Sequence, residues 1–200
     1  MARAASLVYA PAVSGILFES SRRCFRKITE EDLEHLFQLD SDPEVVKYVD
    51  SRRPKTSEEV AQVLNRILCR DKEWEKAQIG LGLGLWAAEL KENGDFVGWF
   101  ALKPLPGFPD IELGYRLLRA HWGSGPATEG GRRILARGFL ELELPIIAAI
   151  TDPANAGSQN VLRKLGFRFI GKREFQSPGG WPATAVDLFR LGRAEFKLAQ

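Results

Sequence analysis

A glycine turn in the middle of the chain has the residue types of an anion-binding site. The turn, Arg119-Ala-His-Trp-Gly-Ser-Gly-Pro-Ala-Thr-Glu-Gly130, lies between a strand predicted over 111–118 and a helix expected to begin near Pro126. Strand, glycine turn and helix start in this order aim several unpaired backbone N–H groups and the positive end of the helix dipole at one small volume. An anion such as a phosphate group is stabilised there without any lysine.

A pair of polar residues, Asn155 and Ser158, forms a second candidate site at the start of a helix predicted over 155–165. The two residues are one helical turn apart, so both side chains can point to the same side of that helix. Ligand binding is one interpretation of the pair. Capping of the helix start is the other, because Asn and Ser are both favoured there.

The segments around these motifs alternate between strand and helix patterns. Apolar alternation and an Asn-Gly hairpin at Glu92-Asn-Gly-Asp95 indicate strands, whereas apolar residues three and four apart indicate helices. The strands are predicted over 22–28, 85–91, 96–102, 111–117, 145–151, 167–173 and 184–191, and the helices after residues 29, 42, 57, 125 and 154. This order predicts an α/β (α+β) domain with a mixed sheet flanked by helices, and it fits neither a Rossmann nor a TIM pattern.

Length and composition predict one domain. The chain has 200 residues, of which 44% are hydrophobic, and this is enough for one good-sized core. We expect an N-terminal arm over 1–21, flexible or strand-like, and a domain over 22–200. The 28 basic and 26 acidic side chains give a net charge of +2 and are scattered, which does not indicate a nucleic-acid partner. No segment approaches the roughly 20 apolar residues of a membrane span.

The cysteines and histidines do not form a metal set. Cys24 and Cys69 have no CxxC partner, and His35 and His121 lie far apart in the chain. We therefore expect a cytoplasmic, metal-free protein. The sequence leaves a homodimer open.

Taken together, four motifs resemble the GNAT superfamily of N-acetyltransferases, and specifically its branch of ribosomal-protein amino-terminal acetyltransferases. They occur in the order of that family and cover the chain from about residue 22 to 190. The motifs are Arg22-x-x-x-Arg26-x-x-Thr29-Glu-Glu-Asp32, Phe96-Val-Gly-Trp99, Ile111-Glu-Leu-Gly-Tyr-Arg-Leu117 with Trp122-Gly-x-Gly-x-Ala-Thr-Glu129, and Asn155-x-x-Ser158 followed by Lys164-Leu-Gly-Phe167.

The resemblance implies acetyl-CoA as co-substrate and a mostly antiparallel sheet split around it. It implies that the pyrophosphate lies at the glycine turn, that the pantetheine arm follows the strand before it, and that Ser158 approaches the thioester sulfur. Small residues in the turn agree, because they let the backbone approach a compact anion closely. The implied cofactor-binding residues are Leu117, Leu118, Trp122, Gly123, Ser124, Gly125, Ala127, Thr128, Asn155 and Ser158.

The resemblance also implies direct attack of an amine on the thioester. Glu112 is the candidate base for this reaction, and Ser158 is the second candidate catalytic residue, as hydrogen-bond donor or acid at the sulfur. The amine must be neutral when it attacks, so a nearby carboxylate that accepts its proton is useful. A solvated strand glutamate is the alternative interpretation. Alternation places Glu112 and Arg116 on the face opposite Leu113 and Tyr115, and the sequence does not say which face meets the substrate.

Two residues depart from the family pattern. Pro126 has no N–H to offer to an anion, although proline suits the first helical turn. Ala120 stands where the superfamily often has Gln or Arg. Both put affinity for the cofactor in question.

These observations predict transfer of an acetyl group from acetyl-CoA to a primary amine. A protein N-terminal α-amine is the leading acceptor and a small amine the next, by analogy alone. The alternative function is a catalytically weak acyl-CoA-binding regulatory module. A phosphotransferase is less well supported, because no Lys-Ser or Lys-Thr follows the glycines.

Overall fold

The computed structural model describes residues 15–49, 53–77, 82–177 and 182–197. Residues 1–14 of the expected arm lie outside the described residues. The strands are β1 Ile16–Glu19, β2 Arg23–Lys27, β3 Gly84–Leu90, β4 Phe96–Pro104, β5 Ile111–Leu117, β6 Ile146–Thr151, β7 Arg168–Phe175 and β8 Thr184–Gly192. The helices are α1 Leu33–Ser41, α2 Pro43–Val46, α3 Ser57–Ala77, α4 Pro126–Ala136 and α5 Ala156–Lys164.

Local sequence accounts for several of these boundaries. Asp42 caps α2 by accepting a hydrogen bond from the backbone N–H of Glu44 at 2.9 Å, and proline occupies the first helical position. The β3–β4 hairpin turns at Asn93 and Gly94, where the glycine has a φ of +78°. Gly166, with a φ of +94°, ends α5. The predicted elements are therefore found close to their predicted bounds.

The strands form one mixed sheet in the order β1-β2-β3-β4-β5-β6-β8-β7. Neighbouring strands are antiparallel except for β5 and β6, which are parallel. Strand β1, which lies in the segment expected as an arm, pairs with β2 at one edge. The expected α/β fold with a mixed, mostly antiparallel sheet is confirmed.

Helices cover both faces of this sheet. On one face α4 and α5 bury Ile134, Leu135 and Leu162 against Phe100 and Leu113. On the other face α1, α2 and α3 form a second apolar cluster with residues of β3 and β4. Each face of the central strands is therefore packed, and alternate residues of β5 belong to opposite layers.

The sheet is split between β5 and β6. These two strands pair only at Ile111 with Ile147 and at Glu112 with Ala148, close to where each strand begins. Beyond Glu112, β5 continues to Leu117, and no described strand pairs with it on that side. The split opens a slot whose wall is a strand edge with free backbone groups.

Close packing of α4 on β4 depends on Gly130. A Cβ built there would lie 2.2 Å from Cζ of the fully buried Phe100. We expect Gly130→Ala to lower the free energy of unfolding by about 1–3 kcal/mol, because the ring has no room to move. Urea denaturation measures the change.

Gly157→Ala is the matched control, because its Cβ would meet only Asn155 Oδ1 at an ordinary 3.6 Å. That variant should gain about 0.5–1 kcal/mol from the better helix propensity of alanine. Equal changes in the two variants would contradict the packing argument.

Candidate active site

The glycine turn presents a set of unengaged backbone N–H groups. Gly123 and Gly125 have φ values of +79° and +87°, a conformation that glycine adopts at no steric cost. In the described part of the chain, no hydrogen-bond acceptor faces the amides of Gly123, Ser124, Gly125, Ala127 and Thr128. A pyrophosphate is the kind of compact anion that such a cluster of amides binds.

The missing N–H of Pro126 costs this turn little. Pro126 is the first residue of α4, where a backbone N–H would have no partner within the helix. Gly125 is the N-cap residue and its carbonyl accepts the first helical bond, from the N–H of Glu129 at 3.1 Å. The helix thus begins regularly, with one fewer donor available to an anion.

The turn opens onto a groove of about 480 Å³ between α2, β5, α4 and α5. Most of the residues that the sequence predicted for the cofactor lie along it. They are Leu117, Trp122, Gly123, Gly125, Ala127, Thr128, Asn155 and Ser158.

Two predicted cofactor residues, Leu118 and Ser124, do not line the groove. The side chain of Leu118 packs against the apolar cluster on the opposite face, and its N–H donates to the carbonyl of Val97 at 2.9 Å. The Ser124 hydroxyl donates to the carbonyl of His121 at 2.9 Å. Only the backbone amide of Ser124 remains available to a ligand at the turn.

Trp122 and Asn155 have structural partners as well as a place in the groove. The Trp122 indole N–H donates to the carbonyl of Leu117 at 2.9 Å, which ties the turn to the end of β5. Asn155 Oδ1 accepts the backbone N–H of Ser158 at 3.0 Å and so caps α5. The capping interpretation of Asn155 is confirmed, and its Nδ2 group keeps its hydrogens for a ligand.

Ser158 is joined by a residue that the sequence did not single out. The hydroxyl groups of Tyr115 and Ser158 lie 3.3 Å apart, one on β5 and one on α5. Burial raises the pKa of Tyr115 to about 12, against a smaller lowering by the Ser158 hydrogen bond. The phenol therefore stays protonated at neutral pH. The Tyr115 and Ser158 hydroxyls form a hydrogen-bonded pair in which either can be the donor.

A second cavity, of about 640 Å³, extends from the split between β5 and β6. Its lining includes Glu112 and Trp99 on one side of the sheet and Ser158 on the other. The groove and this second cavity meet at a junction formed by residues that line both, namely Tyr48, Val49, Tyr115, Arg116 and Ser158. A ligand lying in the groove can present one end to the second cavity at this junction.

Glu112 stands where the two strands part, on the sheet face opposite Ser158. Its side chain is largely buried, and Oε2 accepts a hydrogen bond from the Lys103 ammonium of β4. Among the described residues, the hydrogen bond and ion pair of Glu112 both go to this Oε2 atom, and none is found to Oε1. Leu113 and Tyr115 point towards α4 and α5, whereas Glu112 lies on the opposite face of the sheet.

A buried ion cluster fixes the other side of the junction. Asp40 of α1 accepts hydrogen bonds from Arg116 and from Lys55, and the Arg116 guanidinium lies over the Trp99 ring at 5.4 Å. Burial raises the pKa of Asp40, but the two cations outweigh it and hold the pKa below its usual range. Nothing in the local sequence pairs Asp40 with Arg116, 76 residues away.

Neither a metal-binding cluster nor a membrane-spanning helix is found among the described residues. They contain no group of three or more His, Cys, Asp or Glu side chains that could hold a metal ion. None of the described helices is both long and apolar enough to cross a membrane.

The family model for the acetyltransferase (GNAT) domain matches residues 22–168. The chain belongs to the GNAT acetyltransferase family. The resemblance seen in the four motifs is thereby confirmed, and with it the activity: GNAT proteins are acetyl-CoA-dependent N-acetyltransferases that act on amines.

Relatives of this GNAT domain occur in a bacterium and in a fungus. The uncharacterized protein YkkB of Bacillus subtilis is 31% identical over 151 residues, which cover 72% of this chain and 80% of YkkB. The FsC-acetyl coenzyme A-N(2)-transacetylase of Aspergillus fumigatus is 32% identical over 161 residues, 74% of this chain and 65% of that enzyme. The match therefore leaves about a third of the fungal enzyme uncovered.

A solved structure shares the fold. RimL, a ribosomal L7/L12 α-N-protein acetyltransferase determined in complex with coenzyme A, superposes with a TM-score of 0.70 at 13% identity. The superposition covers 88% of this chain and 97% of RimL. At this identity the likeness shows that the two proteins share the GNAT fold, and it does not show that they share an acceptor substrate.

Variants of Asn155 separate its capping role from contact with a ligand. Asn155→Asp keeps an oxygen for the Ser158 N–H but loses the Nδ2 donor and adds a negative charge. We expect it to retain wild-type stability and to bind coenzyme A more weakly. Asn155→Ala should lose about 1 kcal/mol of stability as well.

Thermal denaturation and calorimetric titration with coenzyme A measure the two effects. Wild-type affinity in Asn155→Asp would leave capping as the only role of this residue.

Proposed function

We propose that this GNAT domain acetylates the α-amino terminus of a peptide or protein. The observation that carries the proposal is the junction at Tyr115 and Ser158, where the groove with the anion-binding turn meets the cavity that contains Glu112. A donor held in the groove and an acceptor held in the cavity would meet there. Such positioning provides much of the rate enhancement in a direct transfer between two substrates.

The residues present fit acetyl-CoA. The partnerless amides of the glycine turn suit its pyrophosphate, and Lys47 and Lys164 line the same groove. The unpaired edge of β5 over 113–117 offers backbone groups to the amides of the pantetheine arm. When bound, the coenzyme supplies the activated acetyl group as a thioester.

Ser158 is the proposed proton donor to the leaving thiolate. In the transfer the amine nitrogen bonds to the acetyl carbon, the carbon–sulfur bond breaks, and the sulfur takes up a proton. Ser158 lies at the junction with its hydroxyl 3.3 Å from that of Tyr115. Because the pKa of Tyr115 is about 12, the phenol keeps its proton and can donate a hydrogen bond to Ser158 while Ser158 donates its own proton to the sulfur.

Glu112 is the proposed acceptor of the amine proton. One of its oxygens is held by Lys103, which fixes the carboxylate in the wall of the cavity. The other oxygen has no protein partner in the described part of the chain, so it is available to an amine or to a bridging water. The contact with Lys103 therefore orients the Glu112 carboxylate and leaves its second oxygen available to accept the proton.

The charges of the second cavity favour an α-amine over a polyamine. Glu112 and Asp152 supply the carboxylates of its described lining, whereas Arg70, Lys103 and Arg116 bring cations. A polycation finds no surplus of negative charge here. An α-amine has a pKa of roughly 8, against roughly 10.4 for a lysine side chain, so more of it is neutral at pH 7.

The rest of the cavity suits the side chains of a peptide. Besides its charged residues, the lining of the cavity contains several apolar side chains. The apolar lining residues include Trp99, Pro104, Pro106, Ile150, Phe175 and Val186.

The two catalytic groups should differ in their kinetic signatures. Ser158→Ala is expected to lower kcat by about 10²-fold with little change in the KM for acetyl-CoA, since the hydroxyl acts on the leaving group. Glu112→Gln should lower kcat/KM for the amine by about 10²-fold, because it removes the group that accepts the amine proton. Glu31→Gln, a change at an exposed residue outside the lining of the cavity, is the control. Full activity of either variant would remove that residue from the mechanism.

An acceptor panel tests the proposed substrate class. Release of the coenzyme thiol is measured with short peptides that have a free N-terminus, the same peptides with a blocked N-terminus and an internal lysine, spermidine, and an aminoglycoside. We expect turnover with free N-termini and acetylation of the α-amine by mass spectrometry. Preferential turnover of a polyamine or aminoglycoside would contradict the acceptor assignment. Binding of acetyl-CoA without turnover of any amine would favour a regulatory acyl-CoA-binding module.

A further inference from the structure

The first turn of α4 is tied to the β1–β2 turn through the carboxylate of Glu129. Oε1 accepts hydrogen bonds from the Ser20 and Ser21 hydroxyls at 2.8 and 2.9 Å and from the backbone N–H of Arg22 at 2.9 Å. Oε2 accepts from Arg22 Nε at 2.8 Å and from Arg23 Nη1 at 2.5 Å. Four consecutive residues therefore converge on one side chain more than 100 residues away in sequence.

Arg22 also holds the glycine turn itself. Its Nη2 group donates to the carbonyl oxygen of Ser124 at 3.2 Å. In a planar trans peptide the C=O and the following N–H point in opposite directions. With the Ser124 carbonyl turned towards Arg22, the N–H of Gly125 must point away from Arg22, on the side available to an anion.

The charge of Glu129 makes this arrangement necessary. A free carboxylate in the first turn of α4 would repel a bound pyrophosphate, although it would suit the helix dipole. Burial raises the pKa of Glu129, but the hydrogen bonds from Arg22, Ser20 and Ser21 outweigh it and bring the pKa to about 2. The carboxylate is thus ionised at neutral pH, and two guanidinium groups lie against it.

We propose that Arg22 and Glu129 are positioning residues for the diphosphate of acetyl-CoA. They act through the backbone of the glycine turn: Glu129 anchors the Arg22 guanidinium, and Arg22 orients the peptide between Ser124 and Gly125. Arg22 is not among the residues that line the groove, and its proposed role is to set the direction of the amide. This inference rests on the proposed cofactor site and assigns a role to the first arginine of the N-terminal motif.

A truncated donor separates this role from general stability. Acetyl-pantetheine carries the thioester but has no diphosphate, so its use does not depend on the orientation of the glycine turn. For Arg22→Gln we expect about a tenfold rise in the KM for acetyl-CoA, because a charge-assisted hydrogen bond is lost. The kcat for acetyl-CoA and the kcat/KM for acetyl-pantetheine should stay near wild type.

Two further variants complete the comparison. Arg22→Lys keeps the charge but cannot bridge Glu129 and Ser124 with one planar group, so it should recover only part of the affinity. Arg193→Gln changes an exposed arginine at the far end of the sheet and should have no effect on either donor.

The outcomes distinguish the inference from the proposed function. An unchanged KM for acetyl-CoA in Arg22→Gln, or an equal loss with both donors, would overturn the positioning role. Failure of the wild-type protein to bind coenzyme A in calorimetry would overturn the cofactor site itself. Binding measured without any amine present does not depend on the identity of the acceptor.

The ionisation of Glu129 gives a second measurement. A carboxyl group whose pKa is lowered on folding, here from 4.5 to about 2, stabilises the fold above the higher value and loses that effect as the pH falls through the lower one. The Tm difference between wild type and Glu129→Gln should therefore be constant above about pH 5 and shrink between pH 4.5 and 2. A difference independent of pH over this range would contradict the ionised anchor.

Discussion

The structure of the site depends on the parting of β5 from β6. Two parallel strands that pair at Glu112 and Ala148 and then diverge leave one strand edge without a backbone partner. Unpaired backbone groups inside a sheet require water or a ligand, so the split is at once a cost to the fold and a binding surface. Ser158 and Glu112 lie on opposite faces of the sheet, and they border one cavity because the sheet is open between them.

Both walls of the split are held by packing from opposite layers. On one face, Gly130, Gly131 and Gly138 allow α4 and the turn after it to lie against the side chains of Phe100, Leu165 and Ile147. On the other face, buried Asp40 binds Arg116 and so couples α1 to β5. Removing one partner of such a buried ion pair leaves an uncompensated charge, so this contact favours a single position of β5. The rigid walls keep the two cavities in contact at one junction.

Hydrogen bonds between polar and charged groups at the site leave specific atoms available to a ligand. Lys103 holds one oxygen of Glu112, and the other oxygen has no partner among the described residues. Asn155 caps α5 with its oxygen and retains its amide hydrogens. Glu129 is saturated by donors, and its anchoring of Arg22 turns an amide of the glycine turn outward. The same contacts that stabilise the fold therefore define which atoms can meet a ligand.

Much of this protein could be predicted from local sequence. Helix caps, the Asn-Gly hairpin and apolar periodicity specify the elements because these signals act within a few residues. The glycine turn could also be predicted from the sequence, because positive φ angles and a helix start are local properties. The motifs identified the GNAT family, and eight of the ten cofactor residues that they implied line the groove, namely Leu117, Trp122, Gly123, Gly125, Ala127, Thr128, Asn155 and Ser158.

Only the tertiary structure decided how those elements meet. Alternation along β5 grouped Tyr115 with Leu113 and gave no sign that its hydroxyl reaches Ser158 on α5. It also could not show that Leu118 faces the opposite cluster, that Lys103 holds Glu112, or that Glu129 gathers four residues of a distant turn. Side-chain periodicity specifies which residues share a face of an element. Which partner that face meets depends on sheet order and helix packing, and these contacts join residues far apart in the chain.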